Sequence, residues 1–246
     1  MKSTRFGDVP NSWGDTELTL FIDHTRENQL LTFVHCRNVV QAIEAIDQLL
    51  HEIAKNVSNI VGQFSAPLFV LRCHSAFRAA AGMALSGQAA ETFVMIRSVL
   101  EYAGYGLLIA KNPQLESLWM SRHSDAKAPR IIASAFSSKN IRAEIEKHNV
   151  DDARIFDEFY QRAIDFGAHP NSHGVNASLS VSQTETELVM FSKYLHDIDQ
   201  PHRHALRSMA QAGVCAVRIF HMAFPARLDE LRVPSRLASI TSNWPL

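Results

Sequence analysis

An all-α fold, a bundle of about five main helices with a small β-hairpin insertion, is predicted by three observations. Apolar residues recur at three- and four-residue steps through most of the chain, Gly and Asn-Pro stop signals separate those stretches, and two of the stretches are rich in alanine and glycine. Residues 1–15 carry Gly, Pro, Asn and Ser without periodicity and read as an arm, ordered only where Trp13 docks. From Leu18 to Val57 the apolar residues, Ile43, Ile46, Leu50 and Ile53 among them, keep helical spacing. That gives one long helix, or two broken near His24 to Asn28, stopped by Gly62. A second helix runs from Pro67, suited to a first turn, to a Gly87 C-cap, and a third from Gln88 to Ala110, ended by Asn112-Pro113. Ala76, Ala80, Ala84, Ala103 and Gly104 line these two; small side chains let helices approach closely, so the pair forms the heart of the bundle.

Shorter helices follow near 113–123, 127–137 and 139–148, with Ser138 as a cap. The next, capped by Asp151 or Asp152, carries Ile155, Phe156, Phe159, Ile164 and Phe166 as its buried stripe. Pro, Asn and Gly make 168–174 a loop, and Leu179 and Val181 alternate with serines to give a hairpin at about 177–192. A last long helix runs from Pro201 to Phe224, and 226–246 is a C-terminal tail, a short helix plus a frayed end. There is no repeat, low-complexity tract or linker, so 16–225 is expected to be a single domain.

With 24 basic and 25 acidic residues and 46% hydrophobic composition, the chain is neither disordered nor an indiscriminate binder of polyanions. The first residues lack the apolar stretch of a signal peptide, and the longest apolar window, Val99 to Ala110, contains Glu101 and two glycines, so no membrane partner is expected. Cys36, Cys73 and Cys215 are odd in number, far apart and in helical apolar context, the pattern of buried reduced thiols; a cytoplasmic home follows.

Metal spacing is absent. His169 and His173 are separated by Pro170, which prevents a shared helical face, and His202 and His204 point in different directions. Neither a metal nor an organic cofactor is expected; were a metal to bind, His169 and His173 with Asp165 or Asp157 would be the place. No Gly-x-Ser-x-Gly and no phosphate-cradling glycine loop occurs. Two constellations remain. Arg97 and Glu101 sit at i and i+4 amid Val94, Ile96, Leu100 and Tyr102, so part of the pair must face into the bundle, for packing specificity or to line a polar pocket. Arg162, near a helix end, precedes His169 in the following loop; a permanent cation beside a group that titrates near neutrality suits phosphodiester cleavage, and equally suits loop fastening and helix C-terminal neutralisation.

The Arg-Ser-x-x-Glu segment (Arg97, Ser98, Glu101) and the late His-Pro-Asn loop (His169, Pro170, Asn171) resemble a group of poorly characterised bacterial all-helical proteins. More distantly the chain resembles the HEPN superfamily, whose mark is Arg followed by four to six residues and His; Arg162 and His169 meet the widest form of that spacing, while Ala163 stands where a polar residue is common. The resemblance implies metal-independent RNA cleavage at a site completed across a homodimer, with Arg162 on the scissile phosphate and His169 as general acid or base. The other reading is a non-catalytic ligand-binding or interaction bundle, with a pocket lined by Arg97, Glu101, Tyr102, Asn171 and His173. RNA as a partner finds no support in the net charge. The excess of arginine over lysine still permits a local anion site.

Overall fold

The computed structural model describes residues 9–57, 65–123, 126–170, 172, 179–183 and 187–244. The chain is all-α, with more helices than about five: the described residues carry eleven α-helices, five of them long and most of the others the shorter segments that the spacing also predicts. The long ones are α1 (Glu17–His35), α2 (Arg37–Val57), α3 (Ser65–Leu85), α4 (Ala89–Lys111) and α9 (Gln200–Ala223). The shorter ones are α5 (Gln114–Met120), α6 (Ala128–Ala135), α7 (Ser138–Glu146), α8 (Val150–Ala163), α10 (Pro225–Glu230) and α11 (Val233–Asn243).

The break in the first helical stretch falls at Cys36 (φ −115°, ψ 35°), not at His24 to Asn28. That polar run contains no helix breaker, and Asn28 donates instead to the Ser86 carbonyl at 3.1 Å. α2 then buries a full stripe, Val40, Ile43, Ile46, Leu50, Ile53 and Val57, against α3 and α9. Gly62 lies outside the described residues. α3 ends in a Schellman turn: the Gly87 amide donates to Ala84 and the Gln88 amide to Met83. Gly87 is required there twice over, since its φ is +83° and an added Cβ would stand 2.2 Å from the His196 carbonyl oxygen.

α4 lies at the centre, packed most extensively on α3 and α9, with α7 and α8 covering it. It is long and apolar enough to cross a membrane by length and composition, and more than half of that stretch is buried inside the bundle, which accounts for its apolarity. The caps of α7 and α8 are Ser137 and Asn149, each accepting from the amide three residues on, rather than Ser138 and Asp151 or Asp152. The cap is the last extended residue, so α7 begins one residue, and α8 two or three residues, earlier than its serine or acidic signal suggests. Of the α8 stripe only Phe156 is fully buried. After α8 the chain widens into a single π turn, Ile164–Ala168.

β1 (Leu179–Gln183) and β2 (Leu188–Ser192) pair antiparallel, with Leu179 opposite Ser192 and Gln183 opposite Leu188. All five residues of β2 are exposed, so one-sided burial is not what sets this strand. The segment after residue 225 is not a frayed tail: Leu228, Val233, Leu237 and Ile240 of α10 and α11 join the same hydrophobic cluster as α2 and α9.

Candidate functional site

Two helix starts and the π turn meet in one place. α9 begins at Asp199, whose carboxylate accepts the His202 amide at 3.1 Å and also the Nδ1–H of His196 at 2.9 Å. Burial pushes the Asp199 carboxyl up, but the hydrogen bonds from His196, the His202 amide and Lys193 outweigh it and hold the group below its usual range. His196 is itself held by its backbone amide on the Gly87 carbonyl, 2.9 Å away, which ties the start of α9 to the start of α4. His202 is buried and satisfied on both sides: its Nε2–H donates to the Ala84 carbonyl at 2.7 Å and its Nδ1 accepts the Ile198 amide at 3.0 Å. Burial lowers its pKa, and the accepting Nδ1 fixes it as a neutral ring.

Between these anchors lies a pocket of about 380 Å³, lined by Ala89 and Phe93 of α4, Phe166 of the π turn, and Gln200, Pro201 and His204 of α9. The π turn reaches it because Gly167 presses onto α4, where an added Cβ would stand 2.2 Å from the Ala90 carbonyl oxygen. The His204 ring sits 5.4 Å from Phe93 and, edge to face, 4.8 Å from Phe166. It makes these ring contacts but no hydrogen bond among the described residues, unlike His74, His196 and His202. Burial first, then the charges of Arg162 and Arg207, lower its pKa, so at neutral pH it presents one N–H donor and one lone pair.

The residues singled out in the sequence are placed in three separate settings. Arg97 and Glu101 form an ion pair at 2.8 Å with side chains 28% and 32% exposed, and Tyr160 of α8 donates to the same Glu101 oxygen at 2.9 Å. Tyr160 closes this network with its pKa pushed up to about 12, by burial first and then by Glu101. Tyr102 turns elsewhere, against Phe69 and beneath Arg72. Arg162 is engaged within its own chain: it donates to Gln211 at 2.7 Å, to Glu158 at 2.5 Å and to Ser208 at 3.4 Å. His169 is not among its partners; it is exposed, in extended backbone just past the π turn. Asn171 and His173 lie outside the described residues, and with His173 goes the histidine pair named as the place for a metal. Among the described residues no group of three or more His, Cys, Asp or Glu side chains gathers at metal-binding distances.

The sequence held one unused signal for His204: it shares one face of α9 with Ser208 and Gln211, at three- and four-residue steps from Pro201. No family model, no curated protein and no solved structure matches this chain.

Proposed function

We propose that this protein is a non-catalytic, ligand-binding helical bundle whose site is the pocket between the starts of α4 and α9. Its ligand is a small planar apolar group bearing a hydrogen-bonding substituent, which docks on Phe93 and Phe166 and meets His204. The observation that carries this reading is the half-buried imidazole of His204, which has no hydrogen-bond partner among the described residues and faces a pocket of about 380 Å³. Aromatic walls with one convergent polar group are the usual make-up of a small-molecule site. The HEPN-like nuclease reading draws less support, because the Arg162 guanidinium is already committed to Glu158, Gln211 and Ser208.

A homodimer belongs to the same reading, resting on the exposed apolar residues of α1, such as Leu18, Leu30 and Val34. So does the hairpin of about 177–192 as an insertion beside the bundle, offering Leu188, Met190 and Phe191 to a partner surface. A cytoplasmic home rests on three buried thiols that form no disulfide.

A fragment titration with indole and benzoate tests the pocket: wild type binds at least one of them with raised thermal stability, and His204→Ala with Phe166→Ala loses the effect. Absence of any response in wild type removes the reading. The nuclease alternative is tested by RNA cleavage in EDTA. Equal background in wild type and His169→Ala is expected; cleavage abolished specifically by His169→Ala would restore the nuclease.

A further inference from the structure

We infer that a second site, the cleft between the α1–α2 break and the outer face of α9, binds the phosphate group of a small phosphorylated ligand. The cleft has a volume of about 400 Å³ and is lined by His35, Arg37 and Asn38 from the break and by Arg203, Leu206 and Arg207 from α9. No lining residue is acidic. The lining therefore carries three arginines and no carboxylate in a chain whose net charge is −1. The whole of α9 carries three arginines and three histidines and not one carboxylate.

The arginines are available. Arg218 at the far end of α9 is paired with Asp152 at 2.8 Å, but neither Arg203 nor Arg207 meets a carboxylate among the described residues, and both are exposed. Arg203 is aimed by its Nε–H on the Ile198 carbonyl, 2.9 Å away, which leaves the fork of its guanidinium open. Arg37 is held over the Phe33 ring at 4.3 Å and touches Glu44 only at 3.5 Å, both groups exposed, so that contact is weak. Arg37 and Asn38 also open α2, a helix with no acidic residue in its first turn to offset its positive end. Three arginines lining one cleft from two elements suit the bidentate recognition of phosphate oxygens. A volume of about 400 Å³ is the size of a small phosphorylated molecule rather than of a nucleic-acid backbone.

Calorimetric titration of the full chain with inorganic pyrophosphate at low ionic strength tests this. Wild type is expected to bind, with affinity falling as salt is raised; the double variant Arg203→Gln, Arg207→Gln is expected to lose at least tenfold, and Arg37→Gln a smaller factor. Arg130→Gln, an exposed arginine outside the cleft, is expected to match wild type within twofold. The far-ultraviolet circular dichroism of the double variant should be unchanged, since both side chains are exposed. No binding by wild type, or equal binding by the double variant, overturns the proposal. So does binding of single-stranded RNA without binding of pyrophosphate. His204→Ala should leave pyrophosphate affinity within twofold, so failure here is distinguishable from failure at the neighbouring pocket.

Discussion

His74 is the residue whose surroundings give the clearest energetic expectation. It is buried on α3, donates from Nε2 to Asp47 of α2 at 2.7 Å, and shares that carboxylate with Arg78, which donates to both oxygens at 2.8 and 2.9 Å. Asp47→Ala strands the buried imidazole without a partner and should cost about 1–3 kcal/mol in chemical denaturation, while Arg78→Ala, which removes the exposed partner, should cost less than about 1 kcal/mol. A comparable loss in both variants would mean the network does not depend on burial. His204 is the contrasting case. Burial lowers its pKa as it does that of His74, but its hydrogen-bonding capacity is not spent on the fold, which is why it is assigned to a ligand and His74 to the structure.

At the scale of elements, the π turn after α8 is what turns a helix end into a pocket wall. Gly167→Ala places a Cβ against the Ala90 carbonyl and must push the turn off α4, displacing Phe166. The expected result is a loss of fragment binding with a modest fall in thermal stability, about 1–3 kcal/mol in equivalent unfolding free energy; unaltered fragment affinity would mean Phe166 is not part of the site. α1 is the other informative element. Only Thr32 of its residues is buried, although eight of its 19 residues are leucine, isoleucine, valine or phenylalanine. If a second copy covers it, sedimentation at micromolar concentration gives a dimer and Leu30→Glu with Val34→Glu a monomer; a wild-type monomer removes the homodimer. Long periodic stretches such as α2, α3, α4 and α9 were legible in the sequence because their spacing and stop signals act locally. The break at Cys36 was not, because nothing in its own chemistry forbids helix; α2 turns there to bury its stripe on α3 and α9. The pocket was illegible for a similar reason. His204 and Phe93 are 111 positions apart in the chain and meet only through packing, whereas Arg162 and His169, close in sequence and suggestive in type, are not hydrogen-bonded to each other.

For the molecule as a whole, the histidines and carboxylates with shifted pKa agree in sign. Burial lowers the pKa of His74, His202 and His204 below the ordinary value of 6.5. The unfolded chain therefore binds more protons as pH falls below that value, so the stability these rings contribute is complete above it and is lost as pH drops through their folded values. Asp47 and Asp199 act in the same direction at lower pH: although burial raises both, their hydrogen bonds hold them below 3.8, and their contribution is lost as that range is entered. The denaturation midpoint should be lower at pH 5.5 than at pH 7.5; a midpoint that is flat or rises on acidification would contradict the neutral state assigned to the three histidines. The measurement that bears most directly on the central claim is the proton resonance of the His204 ring, followed by NMR at pH 7.5 as indole and benzoate are added. The structure predicts a saturable shift of the His204 signals with little change at His74 or His202, and its absence in Phe166→Ala. A His204 ring that stays silent while other surfaces respond would contradict it.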